Sequence, residues 1–174
     1  MFEKRYTDQL DDDAHEFIEF AVDGAKRIDN MINDLLEYSQ VKSMVREFEQ
    51  VDTEKVLDNT LLNLKVPIDE NNAIITHYPL PPIIGDKEML MQLFQNLISN
   101  SIKYRSDKSP KIHISAIKEE NQYCFSVRDN GIGISSDNLE RIFTIFKRLH
   151  ANEEYEGTGI GLAIAQKIVH QFGG

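Results

Sequence analysis

The sequence predicts an α/β fold, with helices packed on a sheet, preceded by one long helix. Three patterns predict it. Residues 86–105 carry apolar side chains at steps of three and four, which is typical of a buried helix. Residues 112–118 and 123–129 have the alternation and composition of paired strands. Residues 14–35 carry apolar side chains at alternating steps of four and three, as in a helical bundle.

The long helix is predicted for residues 11–46, and residues 1–6 look like the end of an earlier helix. Asp11, Asp12 and Asp13 suit the positive N-terminal end of a helix. Its apolar stripe, which we call the seam, consists of Ala14, Ile18, Ala21, Ala25, Ile28, Ile32 and Leu35. A seam of this kind needs a partner helix, in this chain or in another.

The next segment is predicted to be a short helix and a strand. Asp52 is a plausible N-cap for a helix that runs through Leu64 and is closed by Pro67. Residues 74–78 are β-patterned and are followed by prolines, so we expect a strand that ends there.

The last part of the chain is predicted to contain a hairpin and a helix. Residues 119–122 join the two β-patterned runs as a tight turn. The single cysteine, Cys124, lies in the second run and is predicted to fill the core. Residues 135–137 suit a helix start, and an apolar-striped helix follows from Leu162 to Phe172.

Composition excludes several classes of partner. A net charge of -10 disfavours nucleic acid and anionic lipid, because binding to both depends on lysine and arginine. No apolar run approaches the roughly 20 residues of a membrane span. One cysteine fits a reducing compartment, so we expect a cytoplasmic location, either of a whole protein or of the cytoplasmic part of a membrane-bound one. Because the chain is negatively charged overall, any phosphate that it binds must be held by a few local cations, backbone amides or a metal.

The helix at residues 86–105 carries a polar stripe through its apolar surface. Gln92, Asn96, Asn100 and Lys103 share one face. Asparagine is unfavourable inside a helix, so a pair four residues apart suggests that a ligand uses their oxygens. The alternative is a helix face that meets water.

Two glycine-containing segments complete the candidate site. Asp129 ends the second strand, directly before Gly131 and Gly133, where a buried carboxylate would accept a hydrogen bond from a base; the alternative is a structural aspartate that caps the turn. Residues 157–161 form a glycine-rich loop before a helix, a common phosphate-binding arrangement. Its spacing matches neither the P-loop nor the Rossmann fingerprint.

In this order, the segments resemble the catalytic ATP-binding domain of sensor histidine kinases, within the ATPase group of gyrase, heat-shock protein 90 and the mismatch-repair ATPases. Asn96, Asn100, Lys103 and Tyr104 match the N box, and residues 129–134 match the G1 box. Phe143 and Phe146 match the F box, and residues 157–162 match the G2 box. The amino-acid sequence of these segments is most similar to that of the phytochrome-type branch.

The resemblance implies a two-layer α/β sandwich of the Bergerat type, with a mixed sheet packed on helices, and it implies ATP and Mg²⁺ as ligands. Asn100 would ligate Mg²⁺, and Asn96, Lys103 and Arg148 would serve catalysis at the phosphates. Asp129 would bind the adenine amino group, and residues 149–158 would form a lid. The implied nucleotide-binding set is Asn96, Asn100, Lys103, Tyr104, Asp129, Gly131, Gly133, Ile134, Phe146, Arg148, Gly157, Thr158, Gly159, Gly161 and Leu162.

The resemblance also implies domains and partners. Residues 1–46 would be a remnant of the dimerisation hairpin, mainly its second helix, and residues 47–174 a catalytic domain lacking the family's last strands. The partners would be a second copy of the chain, the phosphoacceptor helix of the same kinase and a response regulator. His15 precedes Glu16 as an acceptor histidine would, but Phe20 occupies the place of the family's proline, so we expect the acceptor to lie outside this chain.

The expected function is transfer of the ATP γ-phosphoryl group to a histidine in two-component signalling. The alternative is a nucleotide-binding or dimerising regulatory module without phosphotransfer, which the lack of an acceptor histidine would favour. An ATPase of the gyrase type is disfavoured, because those relatives carry a glutamate where Asn96 stands and an amide cannot take a proton from water.

Overall fold

The computed structural model describes residues 11–43, 48–149 and 157–174. The long helix is present as α1, Asp12–Ser43. It begins where predicted because the Asp11 carboxylate accepts a hydrogen bond from the Ala14 amide at 2.8 Å. The predictions for residues 1–6 and 44–46 lie outside the described residues.

A stripe other than the seam packs α1 against the rest of the chain. The seam residues Ile28, Ile32 and Leu35 are 60%, 52% and 46% exposed. Tyr38 and Val41 instead pack against Met89, Ile160, Ile164 and Ile168, which form a small core of their own. The C-terminal half of α1 is therefore held by its own chain, while the seam has no partner among the described residues.

The segment after α1 contains one predicted helix and two unpredicted short strands. Strand β1, Glu49–Val51, pairs antiparallel with β3, Ile83–Gly85. Between them lie the predicted helix α2, Thr53–Asn63, which is capped by Asp52, and a further helix α3, Lys65–Glu70. Pro67 was expected to end a helix but lies in the first turn of α3, where its missing N–H has no intrahelical partner to lose.

The main sheet has three strands in the order β2-β4-β5. Strand β2, Ile74–His77, runs parallel to β4, Lys111–Glu119, which pairs antiparallel with β5, Gln122–Arg128. The mixed sheet and the hairpin confirm the predicted pattern. Cys124 corrects a prediction: it is exposed, because it lies opposite Ile117 on the outer face of the sheet.

Helix α4, Lys87–Lys103, lies on the inner face of this sheet. Its apolar stripe is buried against β4 and α2 in the main core, whose largest members are Leu57, Phe94, Ile98, Ile112 and Ile114. Helix α5, Gly161–Gln171, packs between α4 and α1. The result is a two-layer α/β sandwich with α1 attached, in which the polar stripe of α4 faces away from the core. Within the described residues, no helix has the length and apolar character of a membrane span.

Candidate functional site

The polar stripe of α4 forms the floor of the site. Asn96, Asn100 and Lys103 are half-buried. The Lys103 ammonium donates a hydrogen bond to the Tyr104 hydroxyl at 3.0 Å and lies 4.5 Å from the centre of the Tyr104 ring. These contacts hold a cation beside two amide side chains, an arrangement suited to phosphate oxygens.

Asp129 lies at the end of β5, at the open side of the site. One carboxylate oxygen accepts from the Gly131 amide at 2.8 Å and the other lies 3.3 Å from the Ser101 hydroxyl. The side chain is exposed rather than buried as predicted, because strand β5 is largely exposed and the cavity is open beside it. Asp129 is thus fixed in direction and keeps room to accept a hydrogen bond from a ligand.

The turn after Asp129 is pinned to the end of α4. The Ile132 amide donates to the Tyr104 carbonyl at 3.1 Å. A Cβ atom on Gly131 would lie 2.4 Å from that carbonyl oxygen, so only glycine fits. Gly131 therefore shapes the site without lining its cavities.

The glycine-rich loop lies directly on the polar stripe. Gly157 and Gly159 have positive φ values of 138° and 78°. A Cβ atom on Gly157 would lie 2.5 Å from the Lys103 ammonium, and one on Gly161 would lie 3.1 Å from the Asn96 amide oxygen. Helix α5 begins at Gly161, so its N-terminal amides are directed at the same place.

Two adjoining cavities occupy the space between these elements. The first, about 410 Å³, is mainly apolar, with Asp129 and Asn100 among its few polar groups. It is lined by Leu97, Asn100, Ser101, Tyr104, Val127, Asp129, Ile132, Gly133, Ile134, Leu139, Ile142, Lys147, Arg148, Leu149 and Leu162. Its size and polarity suit a purine ring.

The second cavity, about 360 Å³, is more polar than the first, and we call it the polar cavity. The two cavities share Asn100, Tyr104, Ile142, Lys147 and Leu162. The polar cavity is lined by Asn30, Asp34, Asn96, Ser99, Asn100, Lys103, Tyr104, Ile142, Lys147, Gly157, Thr158, Gly159, Gly161 and Leu162. Amides, lysines and glycine backbone line this part, which suits a chain of phosphates.

Most of the residues predicted from the sequence line one of these cavities. Gly131 and Phe146 line neither: Phe146 has a φ of 63° and is 49% exposed, and its amide donates to the Gly159 carbonyl at 3.1 Å. The predicted lid at residues 149–158 is described only at Leu149, Gly157 and Thr158.

Sequence reasoning missed lining residues of two kinds. Ser101, Ile142 and Lys147 adjoin predicted site residues and could have been found from that proximity. Asn30 and Asp34 come from α1, and no local pattern marks a residue that reaches the site across more than a hundred positions.

Helix α1 contacts both the site and the neighbouring helix α5. The Asp34 carboxylate accepts a hydrogen bond from the Thr158 hydroxyl. One turn later, the Lys167 ammonium of α5 donates to the Tyr38 carbonyl and lies 3.9 Å from the centre of the Tyr38 ring. Burial raises the pKa of Glu37, and the neighbouring negative charge of Asp34 raises it further. Gln92 partly opposes this rise. The buried Nε2 atom of Gln92 makes no close hydrogen bond within the described residues.

A protein-family model described as "Histidine kinase-, DNA gyrase B-, and HSP90-like ATPase" matches residues 85–174. That range contains α4, Asp129, the glycine-rich loop and α5. The chain belongs to this ATPase family. Membership confirms the resemblance and the two-layer α/β fold predicted from the sequence, and it explains why three separate polar segments converge on one cavity pair.

Individual relatives show which members of this ATPase family the chain is similar to. Cyanobacterial phytochrome A of Nostoc is 52% identical over 169 residues, which are 97% of this chain and 22% of that protein. The chain therefore spans about a fifth of this curated relative. The structure of the histidine kinase ThkA in complex with the response regulator TrrA superposes with a TM-score of 0.71 at 22% identity, over 99% of this chain and 49% of that one.

A second solved structure, full-length ShkA in complex with AMPPNP, superposes with a TM-score of 0.70 at 23% identity over 97% of this chain and 36% of that one. At such identities the two structures establish the fold alone. That fold is the ATPase fold of histidine kinases together with a preceding helix.

Proposed function

We propose that this chain is the ATP-binding catalytic part of a sensor histidine kinase, which transfers the γ-phosphoryl group of ATP to a histidine in two-component signalling. The observation that carries the proposal is the pair of adjoining cavities. One is mainly apolar with a carboxylate acceptor, and the other is more polar and is lined by amides, lysines and glycines. Adenine and a triphosphate have this same division of polarity.

The proposed binding mode follows from the side chains. The adenine amino group donates to Asp129, which the Gly131 amide holds in place at 2.8 Å. The phosphates lie on Asn96, Lys103 and the start of α5, and Arg148 approaches them from the wall of the first cavity. Tyr104, Gly133, Ile134 and Leu162 line the nucleotide, and the glycine-rich loop covers the phosphates.

We propose that the side-chain oxygen of Asn100 would hold Mg²⁺. Within the described residues, no three acidic, histidine or cysteine side chains are grouped as metal ligands. A site with one amide oxygen from the protein fits Mg²⁺, which commonly keeps its waters and takes the remaining ligands from substrate phosphates. The ion would neutralise charge that develops on the transferred group.

The chemistry is proposed to be phosphotransfer rather than hydrolysis. The bond from the γ-phosphorus to the bridging oxygen breaks, a bond from phosphorus to an imidazole nitrogen forms, and ADP leaves. The Asn96 amide is not a base for water, whereas a neutral imidazole needs none to attack. His15 is about 28 Å along α1 from Asp34, at 1.5 Å per residue, so it does not reach the phosphate cavity in this arrangement.

The partners are proposed from the resemblance to sensor histidine kinases. We expect a homodimer through the seam, a phosphoacceptor helix of the same kinase and a response regulator; the complex of ThkA with its response regulator supports the last of these. A cytoplasmic location fits these partners.

Calorimetry with Mg-ATP tests the binding step. The 174-residue chain should bind Mg-ATP, and Asp129→Asn should weaken binding by about 1.5–3 kcal/mol because a charged acceptor is lost. Asp107→Asn, an equal charge change on an exposed loop residue, is the matched control and should bind as the wild-type does. A folded chain that binds neither ATP nor ADP would refute the proposal.

Transfer from labelled ATP to a separately supplied acceptor helix tests the second step. An acid-labile phosphate should appear on that helix and not on the chain. Binding without transfer would leave only a nucleotide-binding regulatory module. Label on the chain that disappears in His15→Gln would show that the acceptor lies within α1.

A further inference from the structure

Asp34 places a negative charge in the polar cavity. Its carboxylate lines that cavity together with Asn96, Lys103 and Thr158, although it comes from α1 rather than from the ATPase domain. Within the described residues, the Thr158 hydroxyl is its hydrogen-bond donor and it has no ion-pair partner. The cavity walls therefore combine cations that suit phosphate with one carboxylate that does not.

The carboxylate lines the polar cavity and not the cavity that contains the base site. No residue of α1 lines the apolar cavity, whereas Asn30 and Asp34 both line the polar one. A nucleotide with its base at Asp129 would therefore meet Asp34 with its last phosphate. Because the γ-phosphoryl group carries the charges that distinguish ATP from ADP, repulsion by Asp34 acts mainly on ATP.

The bond to Thr158 adds a second effect of the same sign. Thr158 belongs to the glycine-rich loop, and its single hydroxyl proton is directed at Asp34. While that bond exists, the hydroxyl cannot donate to a phosphate oxygen. A triphosphate must therefore compete with α1 for Thr158, and ADP, which is shorter, competes less.

The position of Asp34 is fixed by contacts outside the cavity. Val41 is 4% exposed in the core shared with Ile164 and Ile168, and Lys167 holds Tyr38 by a hydrogen bond and a cation–π contact at 3.9 Å. These contacts place α1 independently of nucleotide. Asp34 thus belongs to a docked element and is not a loose surface side chain.

Resting on the proposed function, we propose that Asp34 sets the nucleotide preference of the docked state: it lowers affinity for Mg-ATP relative to Mg-ADP. By thermodynamic linkage, docking of α1 must be weaker with Mg-ATP bound than with Mg-ADP bound by the same factor. The helix and the γ-phosphoryl group are then alternative occupants of one end of the cavity.

The test compares Asp34→Asn with Asp29→Asn by measuring Kd for Mg-ATP and Mg-ADP. The asparagine at 34 can still accept from Thr158, so the fold is preserved while the charge is removed. Asp29, exposed on the same helix and bonded to Asn33 at 3.4 Å, controls for net charge. We expect Asp34→Asn to raise the ratio of ATP to ADP affinity about tenfold, and Asp29→Asn to leave it unchanged.

The ratio should also depend on salt, because the repulsion is screened. An unchanged ratio in Asp34→Asn, or a loss of ATP affinity, would overturn the proposal; the second result would make Asp34 a supporting ligand. If neither variant nor wild-type binds either nucleotide, the proposed function fails as well. Binding with an unchanged ratio rejects this inference alone.

Amide exchange provides the reciprocal measurement. Mg-ATP should accelerate exchange in residues 34–43 of the wild-type more than Mg-ADP does, and the difference should shrink in Asp34→Asn. Slower exchange with Mg-ATP would mean that the triphosphate strengthens docking, contrary to the proposal.

Discussion

At the residue scale, the site consists of ordinary polar side chains that other groups hold in fixed positions. An asparagine oxygen is a weak ligand, a lysine is a mobile cation, and an exposed aspartate is ordinarily solvated. Contacts such as Lys103 with Tyr104 and Asp129 with the Gly131 amide hold these groups in fixed directions. Binding then requires little reordering of the protein, which favours affinity.

Asn100 provides the first prediction at this scale. Asn100→Asp should keep Mg²⁺-dependent ATP binding, because a carboxylate oxygen is also a suitable ligand, whereas Asn100→Leu should lose it while remaining folded. Calorimetry with and without Mg²⁺ measures the difference, with Gln95→Leu on the exposed side of α4 as the control. Equal ATP affinity with and without Mg²⁺ in the wild-type would remove Asn100 from the ligand set.

Gly131 provides the second. Gly131→Ala should cost about 1–3 kcal/mol of stability, because its Cβ would lie 2.4 Å from the Tyr104 carbonyl oxygen. It should also weaken ATP binding, since the turn that orients Asp129 must shift. Denaturant unfolding and nucleotide titration measure the two effects.

Gly24→Ala is the matched control for that substitution. Gly24 lies within α1 with no atom within 4 Å of an added Cβ, so alanine should stabilise the helix by about 0.5–1 kcal/mol. A neutral Gly131→Ala would show that the turn relaxes without affecting Asp129.

At the element scale, regular patterns predicted the elements better than they predicted how the elements meet. Helices α1, α4 and α5 and the hairpin were predicted because each repeats a strong period over many residues. Strands β1 and β3 were missed because three residues are too few to show a period. The seam suggested one buried face of α1, yet a second face, with Asp34, Tyr38 and Val41, contacts the ATPase domain.

The same limit applies to the site. Its motifs lie within α4, at the end of β5 and at the start of α5, where local sequence suffices to find them. Asn30 and Asp34 join the cavity only through packing of α1 on α5, and packing between distant elements leaves no mark on either sequence segment.

Glu37 gives a prediction about α1 docking. The folded state raises its pKa above the ordinary value of 4.5, so the folded protein keeps the proton at a pH where the unfolded chain has lost it. Stability should therefore decline as pH rises from 4.5 through the raised folded pKa, and remain lowered above it. Glu37→Gln should remove this part of the decline.

Unfolding from pH 4 to 8 measures that effect, and Glu19→Gln on the exposed N-terminal part of α1 is the control. Asp34 is the charged neighbour that contributes to the shift, so Asp34→Asn should reduce the pH dependence in the same direction. A pH profile that Glu37→Gln leaves unaltered would show that Glu37 ionises freely.

At the scale of the whole molecule, the exposed apolar surface of α1 predicts self-association. Burying apolar surface gains roughly 25 cal/mol per Å². The seam residues Ile28 and Ile32 are more than half exposed, and so are Phe17 and Phe20 beside the seam. We expect a homodimer through α1 that Ile28→Asp dissociates. Sedimentation across a concentration series measures it, and Leu62→Asp, at a 69% exposed position on α2, is the control. A wild-type monomer at about 100 μM would contradict the prediction, since such patches commonly mark interfaces.

The one-sided attachment of α1 gives the molecule the mechanics of a lever. Val41 lies in a packed core, and the helix then extends roughly 44 Å to Asp12, at 1.5 Å per residue. A tilt of about 10° at the fulcrum would sweep the far end through roughly 8 Å, larger than one helical turn of 5.4 Å. A small displacement of α1 beside Thr158 would therefore accompany a displacement of more than one helical turn at Asp12. Conversely, a force applied to α1 at Asp12 would act at the phosphate cavity with a smaller displacement and a larger force.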